Sequence, residues 1–212
     1  MQLKRHYDKL YEVGKEQIKE DAYTIDHFID SPSDKRYGVT LVLRPPEVVK
    51  LKIQSFLKDL QAIAPGQYYY PSSDIHIAVM SLISSYEGFE LNQIHIKDYI
   101  ELIRQCIQEC RTFDIHYRGI TATKSGVMIQ GFPQDHNLNH LRDQLRHNFK
   151  KSDLQQSLDQ RYTITTAQAT VVRFRKELVQ KERFLQLLES YRNYNFVSFI
   201  VSNLELVYND WY

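Results

Sequence analysis

The chain has 212 residues, enough for one large domain or two small lobes around a sizeable core. Its 42% hydrophobic and 25% charged residues exclude a disordered chain, and seven Gly with six Pro are too few for low-complexity linkers. A formal net charge of +1 supplies no global field toward nucleic acid or an anionic membrane, so any phosphate binding has to be local.

Leu3 to about Asp21 reads as an amphipathic helix, with Leu3, Tyr7, Leu10, Tyr11 and Ile18 at helical spacing. The first residues carry no apolar signal core and the longest apolar runs are strand-sized. Neither a secretory signal nor a membrane span is therefore expected, and the cytoplasm is the default location. Ala22 to Arg36 is polar, with a turn at Ser31-Pro32-Ser33-Asp34. Residues 1–36 read as an N-terminal helical extension, and 37–212 as a single bilobal domain with lobes of roughly 37–110 and 111–212.

Tyr37 to Leu43 has the apolar run of a buried strand, ended by Pro45 and Pro46. A helix follows to about Ile63, with Val49, Ile53, Phe56, Leu57 and Leu60 as its apolar stripe. Tyr68-Tyr69-Tyr70-Pro71 reads as a loop, and Asp74 to Ser84 as a second strand. Ile96 to Cys110 is a helix that puts Cys106 and Cys110 on one face, read as two reduced thiols because zinc would need two more ligands. Phe113 to Thr121 and Gly126 to Gly131 form a strand pair, and Asn137 to about Leu158 a helix. Tyr162 to Arg175 is a strand, Leu178 to Tyr191 a helix, and Asn195 to Tyr208 extended. The remaining histidines are scattered with no carboxylate cluster at ligand spacing, so no metal and no cofactor is expected.

Two halves of this chain overlay. Gly38-Val39-Thr40-Leu41, Pro45-Pro46, a helix and His76-Ile77-Ala78-Val79 match Gly126-Val127-Met128-Ile129, Phe132-Pro133, a helix and Gln168-Ala169-Thr170-Val171. The glycine-to-motif separations are 38 and 42 residues, which points to duplication. Strand alternation then places His76, Ala78, Met80 and Leu82 on one face, and Gln168, Thr170, Val172 and Phe174 on one face of the other strand. By the same rule Arg173 points away from Thr170; Arg173, Arg175, Lys124 and Tyr68 are minor candidates for ligand contact.

On these features the chain resembles the two-histidine phosphoesterase superfamily, which includes 2′-5′ RNA ligase-like proteins and cyclic phosphodiesterases. The resemblance runs from Tyr37 to Tyr208 and rests on the order and spacing of Ser73 to Val79 and Ala167 to Phe174 as motif strands. It implies an α+β, bilobal fold: two pseudo-symmetric lobes of antiparallel sheet, with flanking helices, around a central cleft. It also implies two His-x-Thr/Ser motifs that share one proton relay across a phosphodiester. Here the first motif keeps His76 but has Ala78 for the hydroxyl residue, and the second keeps Thr170 but has Gln168 for histidine.

Imidazole suits proton transfer near neutrality, whereas the Gln168 amide donates a hydrogen bond and no proton. The expected catalytic residue is His76, with Gln168, Thr170, Tyr70 and Tyr69 as substrate-binding residues. The expected function is a phosphoesterase acting on a nucleotide or RNA-end phosphodiester with reduced or altered activity. The alternatives are a non-catalytic phosphate- or nucleotide-binding protein that keeps the cleft, and a scaffold without ligand. The expected partner is a nucleotide or RNA-end phosphate; no membrane and no DNA-binding surface is expected.

Overall fold

The structure, a computed structural model, describes residues 2–108, 110–160 and 163–212. It is an α+β fold of two antiparallel sheets with helices packed around them. In chain order the main elements are α1 (Gln2–Lys19), β1 (Arg36–Leu43), α2 (Glu47–Ile63), β2 (Tyr68–Tyr69), β3 (Ile77–Glu87), α3 (Ile96–Gln108) and β4 (Phe113–Thr123). Then follow β5 (Gly126–Pro133), α4 (Asn137–Lys151), β6 (Ala169–Arg173), α5 (Lys181–Ser190), β7 (Asn195–Val201) and β8 (Glu205–Asn209).

The strand order is β3-β1-β8 in the smaller sheet and β2-β6-β5-β4-β7 in the larger. Each motif strand therefore pairs with the strand that opens its own half, β3 with β1 and β6 with β5. Two strands cross between halves. β2, expected as a loop, pairs its Tyr68 and Tyr69 with Arg173 and Val172, while β8 returns to β1. The extended run expected over 195–208 thus divides between the two sheets. One continuous apolar cluster runs through both sheets, and all five residues of the expected α2 stripe are buried in it. Helix α1 lies along β4: the Tyr7 carbonyl accepts from Thr121 Oγ1, and the Tyr7 hydroxyl donates to Gly131 O.

Several boundaries differ from the sequence reading. The second motif strand is short: 163–168 has no ladder, and Tyr162, its expected start, lies outside the described residues. Glu109, expected in α3, also lies outside them. Helix α4 ends at Lys151, where Ser152 takes an extended backbone and its hydroxyl donates to Phe149 O. Among the described residues no helix is long and apolar enough to cross a membrane.

Candidate active site

Both motif strands carry a β-bulge at the same step of the repeat. In the first, Val42 faces Ala78 and Leu41 faces Met80, so Val79 is the extra residue. In the second, Met128 faces Thr170 and Val127 faces Val172, so Val171 is the extra residue. A bulge resets side-chain alternation, because the residue after it repeats the side of its neighbour. Val79 with Met80, and Val171 with Val172, are accordingly buried as consecutive pairs. Ser81 and Arg173, five residues after His76 and Gln168, then come round to the cleft wall. Leu82, Val172 and Phe174, expected on the cleft faces, are instead fully buried. The opening glycines serve these strands: a Cβ on Gly38 would lie 2.4 Å from Ile83 O, and one on Gly126 would lie 1.9 Å from Val172 O.

A bulge also frees a backbone carbonyl that must find a donor when buried. Val171 O accepts from the Tyr70 backbone N–H at 3.1 Å, just beyond β2. Val79 O accepts from the Nε–H of Arg142 at 3.0 Å. Arg142 reaches across from α4, in the other half of the repeat, and its Nη2 also donates to Ala78 O (3.1 Å) and Thr166 O (2.7 Å). This guanidinium is 1% exposed and therefore joins the first motif to the approach of the second inside the core. Burial, with Arg146 nearby, pushes its pKa down to about 10, so it remains a cation at neutral pH. Tyr7 supports the second motif in turn, its hydroxyl accepting from the Ala167 N–H at 3.3 Å.

Between the strands lies a cavity of about 400 Å³, within the range of small-ligand sites. His76, Ala78, Gln168 and Thr170 all line it, together with Arg173. Its wall is rich in hydroxyls: Thr40 and Ser81 face each other across the β1–β3 ladder beside Ala78, and Ser84 stands next along β3. Tyr69 and Tyr70 lie elsewhere. The Tyr69 hydroxyl donates to Ala64 O at the end of α2, and buried Tyr70 accepts from Arg173 Nε at 2.9 Å. Tyr70 thus meets the cavity through the arginine it holds. Arg175 is turned aside to Asp30 and Gly66 O. Of the β4–β5 turn, Thr123 and Ser125 reach the wall, and Lys124 is absent from it.

His76 sits just before β3, half-buried. Its Nδ1 lies 2.7 Å from Asp74 O. A carbonyl only accepts, so Nδ1 carries the proton and the neutral ring keeps its lone pair on Nε2. Desolvation lowers the His76 pKa below 6.5, against the Asp74 hydrogen bond that raises it; the cations Arg44 and Arg173 lower it further. At neutral pH the ring is a base in place.

No protein-family model and no curated protein matches the sequence. Solved structures match the fold. Escherichia coli LigT complexed with 3′-AMP aligns with a TM-score of 0.52 at 13% identity, over 82% of this chain and 88% of that one. TT0787 of Thermus thermophilus aligns at 0.55 and 12% identity, over 82% and 95%. A further phosphoesterase aligns at 0.51 and 10% identity, over 82% and 88%. The fold is that of the two-histidine phosphoesterases.

The cavity-lining side chains have a clear chemical content. Gln168 lines the cavity wall, and its Oε1 is buried without a hydrogen-bond partner among the described residues. Its amide cannot move a proton near neutral pH, though it can position an oxygen. Ala78 offers no hydroxyl, but Thr40 and Ser81 supply two within the same wall. Arg173 adds a cation whose hydrogen bond to Tyr70 holds it in place. Sequence reasoning set Arg173 on the wrong face and missed Thr40 and Ser81, because strict alternation does not contain the bulges.

Proposed function

We propose that this chain binds a nucleotide or RNA-end phosphodiester in the cleft between its motif strands and cleaves it with reduced or altered activity, using His76 as the sole proton-transfer residue. The observation that carries the reading is the His76 ring, held by Asp74 O with Nε2 as its base, in one cavity with Gln168, Thr170 and Arg173. The fold and the 3′-AMP bound by E. coli LigT support the ligand class. Arg173 and the hydroxyls of Thr170, Thr40 and Ser81 suit the spread negative charge of a phosphoryl group.

The chemistry follows from what the cleft keeps. Nε2 of His76 takes a proton from the attacking water, the new P–O bond forms, and the bond to the leaving oxygen breaks. Gln168 supplies no proton to that oxygen, so a good leaving group is required. Losing one member of an acid–base pair commonly lowers the rate by ~10²–10⁴. The chain is therefore expected to turn over p-nitrophenyl esters of nucleotides faster than 2′,3′-cyclic or 2′-5′ linked substrates, whose leaving oxygens need protonation. Activity should rise with pH up to the His76 pKa, below 6.5, and level off above it.

The test incubates the purified chain with all three substrate types beside His76→Ala. Turnover of the activated ester that His76→Ala abolishes supports the reading. Turnover unchanged by that substitution removes His76 from the mechanism, and no turnover of any substrate removes the enzyme. The Gln168 substitution favours a second reading, a nucleotide-binding protein without turnover. Saturable binding heat in the absence of turnover would select it.

A further inference from the structure

The ladder between β5 and β6 ends at Ile129 opposite Ala169. Two residues further in that register Gly131 comes opposite Ala167, and a Cβ on Gly131 would lie 1.9 Å from Ala167 O. A side chain from another part of the chain enters at this point. The Tyr7 hydroxyl, on α1, accepts from the Ala167 N–H at 3.3 Å and donates to Gly131 O at 3.1 Å. One oxygen thus bridges the N–H and the carbonyl that a direct rung would join.

The peptide group at this point is held from both ends. The Ala167 N–H and the Thr166 carbonyl belong to one planar unit, and Thr166 O accepts from Arg142 Nη2 at 2.7 Å. Tyr7 and Arg142 together fix the plane that leads directly into Gln168. Gln168 lines the cavity, and its Oε1 has no hydrogen-bond partner among the described residues. No bond through that oxygen holds the amide, so the backbone before it sets its place. The Tyr7 ring is itself fixed: it is fully buried, edge-on to Phe132 at 5.4 Å, and the Tyr7 carbonyl accepts from Thr121 Oγ1. Burial pushes the phenol up to about 12, so the hydroxyl keeps the proton it donates.

We infer that Tyr7 is a positioning residue for the cleft: its hydroxyl holds the approach to β6 one oxygen away from β5 and so sets where Gln168 stands. The N-terminal helix is then part of the site and not only a cover for β4. Without the hydroxyl, the Ala167 N–H closes on Gly131 O directly, and Gln168 moves with it. The placement needs no ligand; its effect on binding rests on the nucleotide reading above.

Tyr7→Phe removes the bridging oxygen and keeps the ring. Tyr11→Phe is the control, since it takes from the same helix a hydroxyl that donates to Glu189 at 2.7 Å and not to the motif. Binding of 3′-AMP is measured by calorimetry in the full chain, in both variants, in Gln168→Ala, and in Tyr7→Phe combined with Gln168→Ala. Tyr7→Phe should weaken binding about two- to tenfold, the size of one hydrogen bond, and Tyr11→Phe should not. In the Gln168→Ala background Tyr7→Phe should have no further effect. The same loss in both backgrounds, or none in either, overturns the positioning role. A second readout uses no ligand. The side-chain amide resonances of Gln168, assigned by their loss in Gln168→Ala, should shift in Tyr7→Phe and stay in Tyr11→Phe; unshifted resonances overturn the role. If the parent chain gives no saturable heat with 3′-AMP, the nucleotide reading fails and these resonances alone decide the placement. The parent chain also carries a test without any variant: the Ala167 N–H should exchange slowly with solvent, and rapid exchange overturns the bridge.

Discussion

Strands β3 and β6 share a bulge at the same step and carry quite different chemistry. Each has a cleft residue at its start, a second two residues on, a bulge at the third and a wall residue at the fifth. Yet His76, Ala78 and Ser81 in one become Gln168, Thr170 and Arg173 in the other. Backbone geometry is held by many contacts at once, whereas a cleft side chain is held by few and can change alone. The two bulges also differ in what satisfies them. Val171 O is met by a backbone N–H, which any residue but proline supplies at position 70, whereas Val79 O depends on the single side chain of Arg142.

The strongest way to test this contrast is to remove it. Gln168→His with Ala78→Thr makes the two motifs alike, and turnover of 2′,3′-cyclic substrates should rise by ~10²–10⁴ over the parent, since a proton donor then faces His76. A folded double variant that gains nothing would mean that the cleft differs in more than these two positions. Next in size is the buried guanidinium. Arg142→Leu leaves Val79 O, Ala78 O and Thr166 O without their donor and should cost about 2–3 kcal/mol in urea unfolding, once removal of a buried charge is offset. Tyr70→Phe keeps the N–H that meets the other bulge and should cost about 1 kcal/mol or less. Equal losses would erase the proposed asymmetry.

The smallest effect is on stability against pH. His76 has its folded pKa below 6.5, so the unfolded chain binds the proton more readily. The stability linked to neutral His76 is fully present above about pH 6.5 and declines as pH falls from there toward the folded pKa. His76→Gln should flatten that part of the profile in thermal unfolding, and an unchanged slope would show that another group carries it.

Much of this arrangement was legible in the sequence. The order of glycine, prolines, helix and motif identified the repeat, and that repeat brought His76, Gln168 and Thr170 to one cavity although they come from distant parts of the chain. Tyr69 and Tyr70, expected as substrate-binding residues, do not line the cavity; three adjacent rings look alike in sequence. Pairing of Tyr68 and Tyr69 with β6 gives them separate destinations: Tyr69 bonds to Ala64 O, and Tyr70 braces Arg173. Trp211 at the cleft was not foreseen either, since its place depends on β8 returning to β1.

What the sequence determined by itself is local and periodic: the apolar stripe of α2, the buried run of β1, and the repeated order of features that places His76 in one half and Gln168 and Thr170 in the other. Tertiary structure alone decided the rest. Whether Arg173 faces the cleft or the core turns on one extra residue in β6, and a one-residue slip moves every later side chain to the other side. No local pattern marks that extra residue, because Val79 and Val171 are as apolar as the residues that follow them, Met80 and Val172. At the bulges, β1 and β5, the N–H donors of Tyr70 and Arg142 to the bulge carbonyls, and the close approaches of Gly38 and Gly126 all meet those strands at once.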